Sequence, residues 1–253
     1  GIYITGAASA YPTVDILGQF KSTINEVDIS ERIGLVEKYV VLESGKSFSI
    51  TEVSLGSVNI YGPGANFSSV VQNGSNDEMA GTLQKGNYTL GGTFSVPTSG
   101  LYHVVIDKQT TSVVIMPVSK WAIIGGATPL GWSDNDMLAK GAFSKDTMVF
   151  EINDITLLSG EFKFRHSGAW KQTIVANPLV KVHTNIGGTS MTTLVAGGAN
   201  IPFVRADNGK YTVTATWGKN TGLKFSMTKT GLLQMVKIGK NRIGFFCSWI
   251  SVI

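Results

Sequence analysis

The sequence predicts an all-β protein of two tandem immunoglobulin-like β-sandwich domains. Three observations predict this fold class: short stretches alternate apolar and polar residues, turn signals separate these stretches, and the pattern of the first half recurs in the second. The chain has 253 residues, of which 43% are hydrophobic and 15% charged. This composition is sufficient for packed cores and argues against disorder.

Alternation is clearest in the second half. In Glu161-Phe-Lys-Phe-Arg165 the two phenylalanines fall on one face of a strand and the two basic residues on the other. In Tyr211-Thr-Val-Thr-Ala-Thr-Trp217 every second residue is threonine, which is typical of a half-buried strand. Residues 46–50 and 102–106 also predict strands. The segment Val27–Lys38 is where we expect a short helix.

An internal repeat predicts the domain boundaries. Ile2-Tyr-Ile-Thr-Gly-Ala-Ala8 resembles Trp121-Ala-Ile-Ile-Gly-Gly-Ala127, and Gly100-Leu-Tyr102 resembles Gly209-Lys-Tyr211. The offset of roughly 110–120 residues is an ordinary length for a sandwich domain. We therefore expect domains at residues 1–118 and 119–231, followed by an atypical tail at 232–253.

All five tryptophans lie at position 121 or later. Trp121 and Trp217 continue the apolar faces of predicted strands, so we expect them in the core. Trp132 and Trp170 lie in predicted loops, where a tryptophan either caps the core or meets a partner. Trp249 lies in the tail and carries no interpretation.

Charge and cysteine content exclude some classes of protein. The formal net charge is +4, and the basic residues do not cluster into the stripe that nucleic-acid binders present. Cys247 is the single cysteine, so no intrachain disulfide can form. No apolar run approaches the ~20 residues that span a bilayer. Because the chain begins at Gly1 rather than Met, we expect a trimmed or processed product, of which any signal peptide or lipid-bearing cysteine would have lain upstream.

Enzyme motifs are absent from the sequence, and we predict no catalytic residue, no metal ligand and no cofactor. There is no nucleophile elbow, phosphate loop, zinc-binding helix motif or paired Cys-x-x-Cys. Asp134 or Asp136 with Glu161 could supply the two carboxylates of a glycoside hydrolase, and residues 134–136 could bind calcium. Both alternatives are weaker, because small sandwiches offer little depth and the acidic run is short. The three histidines are scattered and predicted to be structural: His103, His166 and His183.

The two loop tryptophans suggest a platform for sugars. A flat indole can cover the apolar C–H face of a pyranose ring, while nearby polar groups bond to its hydroxyls. Lys163, Arg165 and Lys171 lie near Trp170 in sequence and are the candidate hydrogen-bond donors beside Trp132 and Trp170. The alternative is that each indole folds over a sandwich end and that the charges form an ordinary solvated face.

Trp121-Ala-Ile-Ile-Gly-Gly-Ala-Thr-Pro-Leu-Gly-Trp132, followed about 30 residues later by Gly160-Glu-Phe-Lys-Phe164, resembles the SusE/SusF-type surface glycan-binding lipoproteins of Bacteroidetes. The resemblance covers residues 1 to 230 and is more specific in the second repeat. It implies tandem β-sandwiches like carbohydrate-binding modules, a lipid anchor on the outer-membrane surface and no catalysis. It also implies an outer-membrane TonB-dependent transporter and its binding lipoprotein as partners, with starch or a related α-glucan as ligand.

The first repeat departs from this pattern. It has Tyr11-Pro12 where the second has Gly131-Trp132, and it contains no tryptophan. We therefore expect the first domain to act as a spacer. The competing hypothesis is a structural or adhesion lipoprotein, or an assembly subunit, that binds no sugar; it requires both loop tryptophans to be buried.

Overall fold

The computed structural model describes residues 1–238 and 242–246, and this part of the chain is almost entirely β. Its helices are 3₁₀ turns of 3 residues each, at Ile16–Gly18, Ser75–Asp77 and Arg205–Asp207. Two nine-stranded antiparallel sheets each curl on themselves. The prediction of an all-β protein with two sandwich domains is confirmed. None of the described helices has the length and apolar character to cross a membrane.

The first sheet uses strands that precede residue 118: β1 (Ile2–Thr5), β2 (Lys21–Asn25), β3 (Ser30–Leu42), β4 (Ser49–Ser54), β5 (Ser57–Pro63), β6 (Ser68–Asn73), β7 (Ala80–Leu90), β8 (Gly100–Asp107) and β9 (Ser112–Pro117). Strand β7 joins the two layers, since most of it pairs with β6 and β9 while its end pairs with β5. One layer continues through β5, β4 and β1, and the other through β9, β8, β3 and β2.

The second domain contains the following strands: β10 (Trp121–Ile124), β11 (Asn135–Lys140), β12 (Thr147–Leu157), β13 (Gly160–His166), β14 (Lys171–Ala176), β15 (Leu179–His183), β16 (Asn185–Gly187), β17 (Val195–Ala196), β18 (Ile201–Phe203), β19 (Gly209–Gly218) and β20 (Gly222–Gly231). Here β11 joins the layers, because its first half pairs with β10 and its second half with β12. Strands β14 and β15 form a separate hairpin, and the others form the curled sheet.

The two domains share a pairing order. Neighbouring strands in the order β2–β3–β8–β9 of the first sheet correspond to neighbouring strands in the order β11–β12–β19–β20 of the second. The opening strands β1 and β10 both lead into a glycine with positive φ, Gly6 at 118° and Gly125 at 140°. A Cβ on Gly125 would lie 2.3 Å from the carbonyl oxygen of Glu161, so this crossing requires glycine.

The predicted strand faces agree with the structure. In β13, Phe162 and Phe164 are buried while Lys163 and Arg165 are only partly buried. In β19 every second residue from Gly209 to Trp217 is buried. Trp121 and Trp217 are 0% and 1% exposed, so the prediction that both belong to the core is confirmed.

The helix expected at Val27–Lys38 is wrong. From Ser30 this segment belongs to β3, whose residues 35–42 pair with β8. Buried Leu35, Val40 and Val41 meet the core across this pairing. Pairing with β2 and β8 satisfies the backbone hydrogen bonds of this segment as a strand.

Side chains from both domains merge into one hydrophobic cluster. The Nε1 of Trp217 donates to the carbonyl oxygen of Tyr39 at 2.8 Å. The hydroxyl of Tyr11 donates to the carbonyl oxygen of Lys219 at 2.6 Å. The rings of Tyr39 and Trp121 lie 5.7 Å apart. The domains are therefore joined through their cores as well as through the linker.

The β14–β15 hairpin of the second domain packs on the first domain. Its Ile174, Val180 and Val182 form a second apolar cluster with first-domain residues such as Leu83 and Val114. Polar contacts reinforce this packing. The side chains of Gln72 and Gln172 exchange two hydrogen bonds, of 2.9 and 2.8 Å, and Glu78 accepts from the backbone and hydroxyl of Thr173.

Two of the three histidines are not scattered in space. His103 of β8 and His166 of β13 are both fully buried, and their rings meet across the domain boundary at 3.1 Å. The sequence could not show this, because the contact depends on how the two sheets pack.

The tail contains a hairpin of β21 (Gln234–Ile238) and β22 (Arg242–Phe246), which pair only with each other among the described residues. In this part of the chain the hairpin adds no strand to either large sheet. Cys247 and Trp249 lie outside the described residues.

Candidate functional site

Trp132 and Trp170 come together in the second domain. Trp132 lies in the turn between β10 and β11, and Trp170 lies between β13 and β14. Their ring centroids are 6.3 Å apart and the ring planes are inclined at 46°. Trp132 is 51% exposed, and Trp170 is partly exposed. The two indoles thus form an angled pair at the surface, which we call the tryptophan pair.

The position of Trp170 is set by a sharp turn after β13. Ser167 and Gly168 both have positive φ, 54° and 66°. Two successive residues with positive φ reverse the chain tightly. The turn brings the ring of Trp170 back over the outward side chains of β13, with the Arg165 guanidinium carbon 4.7 Å and the Lys163 Nζ 5.9 Å from the ring centroid.

The backbone of Trp170 is held from both domains. Its N–H donates to the carbonyl oxygen of Asp77 in the first domain at 2.8 Å. Its own carbonyl accepts from the Thr184 N–H at 3.1 Å and from the Asn185 Nδ2 at 2.8 Å. The backbone that carries this indole is therefore held in place by the fold. A preorganised ring loses little entropy when a ligand stacks on it.

The turn that carries Trp132 is also well defined. The hydroxyl of Thr128 lies 2.9 Å from the Gly125 oxygen and 3.1 Å from the Gly131 oxygen, and it accepts from the Asn135 Nδ2 at 2.8 Å. The first repeat builds the same turn with Ser9, which bonds to Gly6 and Tyr11.

The first repeat lacks an equivalent aromatic platform. Tyr11 corresponds to Gly131, and Pro12 therefore stands at the position that Trp132 has in the second repeat. The Tyr11 ring turns inward and is 3% exposed. Burial raises the pKa of its phenol to about 12.

Asp134 organises the cations around the tryptophan pair. Its Oδ1 accepts from the Arg165 Nε at 2.6 Å, and its Oδ2 lies 3.7 Å from the Lys120 Nζ. Lys120 also bonds to Asp136 at 2.7 Å. Arg165 is thereby held against Trp170 with its charge already paired. Among the described residues the other guanidinium nitrogens of Arg165 have no hydrogen-bond partner, so they can donate to a ligand.

Lys163 has a different environment. Burial lowers the pKa of its ammonium group, and among the described residues no carboxylate pairs with it. Gly187 leaves space for the aliphatic part of the Lys163 side chain, since a Cβ on residue 187 would lie 2.8 Å from the Lys163 Cε. A partly desolvated ammonium without an acidic partner is a donor suited to ligand hydroxyls.

Lys171 faces the first domain instead of the indoles. Its Nζ lies 3.3 Å from the Glu26 carboxylate. His183 lies nearby, and burial, with the charges of Lys163 and Lys171, lowers the pKa of its imidazole. Of the five predicted site residues, the structure brings four together, Trp132, Trp170, Lys163 and Arg165, and places Lys171 at the domain interface.

Sequence reasoning missed the residues that position the site. Asp134 stands two places after Trp132, but its pairing with Arg165 depends on β10 lying between β11 and β13. Glu26 and Asp77 come from the other domain, and no sequence signal indicates them.

The acidic residues of the two alternatives bond to neighbouring side chains. Asp134 and Asp136 are engaged by Arg165 and Lys120, and Glu161 bonds to Asn200 at 2.7 Å. Within residues 1–238 and 242–246, no group of three or more His, Cys, Asp or Glu side chains is placed to hold a metal ion.

Comparison of the chain with models of protein families, with curated proteins and with solved structures gives no match.

Proposed function

We propose that this protein is a non-catalytic glycan-binding protein and that the tryptophan pair is its sugar platform. The observation that carries the proposal is the exposed, angled arrangement of Trp132 and Trp170 beside Lys163 and Arg165. Indole faces at the surface cost free energy unless they meet a partner. The arrangement combines apolar faces with charged hydrogen-bond donors, which is what a pyranose ring requires.

The inclination of the rings favours a curved ligand. Two coplanar rings would suit a flat polysaccharide surface, whereas planes at 46° suit a chain whose successive sugars turn. An α-glucan has this shape, and the sequence resemblance favours the same ligand. On this proposal the chain holds polysaccharide at the outer-membrane surface, through an upstream lipid anchor, for a TonB-dependent transporter and its binding lipoprotein.

The test is binding to a panel of soluble polysaccharides by affinity electrophoresis, followed by tryptophan fluorescence titration with maltooligosaccharide. Each stacked ring contributes on the order of 1–2 kcal/mol, so single-site affinity should be near millimolar. Trp132→Ala should therefore weaken binding by about 5–30-fold.

Leu130→Ala is the matched control, because Leu130 is an exposed apolar side chain in the same turn, at 59% exposure. It should leave affinity unchanged. A panel without a hit, or equal affinities for Trp132→Ala and the parent protein, would refute the proposal.

A structural or assembly role is the second candidate. The contacts of the Trp170 segment with the first domain, through Asp77 and the Lys171–Glu26 pair, favour it, but the 51% exposure of Trp132 is contrary to its expectation of two buried indoles. In that case Trp170→Ala would lower the melting temperature, no polysaccharide would bind, and the protein would co-purify with a membrane partner.

A further inference from the structure

A second candidate site lies in a cleft between the two domains. The cleft has a volume of about 340 Å³, at the lower end of the range for small-molecule sites, and its lining includes neither Trp132 nor Trp170. The first domain supplies one wall from Tyr11, residues 16–21 and β3. The second domain supplies the other from residues 219–223, the turn between β19 and β20.

Lys38 holds an ammonium group at a fixed position in this cleft. Its Nζ donates to the carbonyl oxygen of Leu17 at 2.7 Å and lies 3.4 Å from that of Gln19. It also lies 5.2 Å from the centroid of the Tyr11 ring. An ammonium has three N–H donors, and these bonds use two of them. The third remains for a ligand.

The cleft has more positive than available negative charge. Of its other charged lining residues, Glu37 is paired with His103, and Lys219 is paired with Asp146. Lys21 and Lys38 have no ion-pair partner among the described residues. Burial first, and then the charge of Lys21, lower the pKa of Lys38 to about 8, while nearby Asp15 opposes this shift.

Asp15 does not cancel this excess by a direct pair. Its Oδ1 accepts from the Leu17 N–H at 2.8 Å and caps the short turn that forms the lip of the cleft. An incoming anion would therefore find two positive charges, Lys21 and Lys38, that form no ion pair with a carboxylate in the described part of the chain. Relieving their repulsion favours the bound state.

The lip of the cleft is apolar. Ile16 and Leu17 are 68% and 43% exposed, and Leu223 lines the opposite wall. These three residues offer apolar contact to a ring, in a lining that also includes Tyr11 and Tyr39. The combination of ammonium groups and apolar surface favours a ligand that carries one negative charge on a ring.

We propose that the interdomain cleft binds a small carboxylate on a ring, with the carboxylate bonded to Lys38 and facing Lys21 and the ring against Ile16, Leu17 and Leu223. An aromatic acid and a sugar acid share this chemistry. This proposal is independent of glycan binding at the tryptophan pair, so either can fail alone.

The test is calorimetric titration of the whole chain at pH 7 and low salt with benzoate and with D-glucuronate. Their neutral counterparts are benzamide and glucose, and inorganic phosphate serves as an anion without a ring. Binding of either acid, but of neither neutral compound, supports the proposal and identifies the source of the ring. Equal binding of acid and neutral forms overturns the charge requirement, and equal binding of phosphate overturns the role of the ring.

Substitutions test the two lysines. Lys38→Met should weaken binding of the acid at least about tenfold, the loss expected for one hydrogen bond to a charged group. Lys21→Met should weaken it less; because Lys21 is exposed, this variant keeps the test valid if Lys38→Met does not fold. Lys219→Met is the matched control on the same cleft, since the Lys219 charge is already paired with Asp146. Undiminished affinity in both Lys21→Met and Lys38→Met would overturn the site.

The pH dependence gives an independent check. Because the pKa of Lys38 is about 8, raising the pH from 7 to 9 removes its proton while the ligand stays anionic. The groups around Lys38 are Lys21, Asp15, Tyr11, Glu37 and Lys219. Affinity should fall across this range in the parent protein and much less in Lys38→Met. A pH-independent affinity in the parent would contradict the assignment of Lys38.

Discussion

The Nδ1 of His103 lies 3.1 Å from the Nε2 of His166, and this contact joins the two domains in their shared interior. The other nitrogen of His103 lies 2.8 Å from the Glu37 carboxylate, and the other nitrogen of His166 lies 3.1 Å from the Ser167 hydroxyl. Tyr39 stacks on His103 with ring centroids 4.2 Å apart. A chain of four polar side chains therefore crosses the interface.

Hydrogen-bond accounting assigns the protons in this chain. The Ser167 hydroxyl donates its single proton to the Pro117 oxygen at 2.9 Å, so the Nδ1 of His166 must carry the hydrogen of their contact. In a neutral His166 the Nε2 is then unprotonated, and it accepts a hydrogen bond from the Nδ1–H of His103. The Nε2 of His103 completes the chain through its 2.8 Å contact with the Glu37 carboxyl group.

Acid should destabilise the protein through His166. Burial, reinforced by the charge of His103, lowers the pKa of His166 well below 6.5. Below pH 6.5 the unfolded chain binds a proton at this residue and the folded chain does not. Stability is therefore retained above that pH and lost as the pH falls, by at most about 2 kcal/mol at pH 5. Urea denaturation at pH 7.5, 6 and 5 measures the loss.

The control is His166→Gln, which keeps a polar side chain but cannot titrate. Glu37, His103 and Tyr39 remain in both proteins, so the difference between the two pH profiles isolates His166. His183, whose pKa burial also lowers, contributes in the same direction in both. The variant should show the flatter profile, and parallel profiles would contradict the role given to His166.

Glu37→Gln should cost about 1.5–3 kcal/mol of unfolding free energy. The Glu37 side chain is 14% exposed, and the substitution removes the carboxyl group that bonds to the buried imidazole of His103. Glu52→Gln is the matched change, because Glu52 pairs with Lys108 at a more exposed position and should cost under about 1 kcal/mol. Chemical denaturation compares the two. Equal losses of unfolding free energy would mean that the buried Glu37–His103 contact stabilises the fold no more than the exposed Glu52–Lys108 pair does.

The shared core predicts one unfolding transition for both domains. Gln72 and Gln172 exchange two hydrogen bonds across the boundary, and Gln172 is fully buried. A double-mutant cycle with Gln72→Ala and Gln172→Ala should give a coupling energy of about 1 kcal/mol. Differential scanning calorimetry should show a single peak for the parent protein. Two separate peaks would indicate that the domains unfold independently despite these contacts.

Local patterns in the sequence predicted much of the fold. Alternation identified the buried faces of β13 and β19, and the repeat identified matching turns at Gly6 and Gly125. These signals work because side chains alternate across a strand and because a close backbone crossing requires glycine. They fail at Val27–Lys38, where pairing of β3 with β2 and β8 replaces the expected helix, and at β14–β15, which packs on the other domain.

The candidate site was only partly predictable for the same reason. Loop position marked Trp132 and Trp170, but their 6.3 Å separation follows from β10 pairing with both β11 and β13. Proximity in sequence placed Lys171 with them, whereas the structure pairs it with Glu26. The partners of His103 and His166 lie on separate sheets, and strand patterns carry no information about how sheets pack.

Asp134→Asn should weaken glycan binding by releasing Arg165 from its position against Trp170. The two side chains are 13% and 15% exposed and bond at 2.6 Å, so Asp134 fixes the guanidinium beside the platform. A freed guanidinium must be ordered again when ligand binds, at a cost of about 0.5–1.5 kcal/mol, or about 2–10-fold in affinity. Fluorescence titration with maltooligosaccharide measures the change.

Asp136→Asn is the control, because Asp136 contacts Lys120 but not Arg165, and this variant should bind as the parent does. If both variants bind as the parent does, Arg165 is not a binding residue; if both weaken binding equally, the overall charge of the loop matters rather than the Asp134–Arg165 pair.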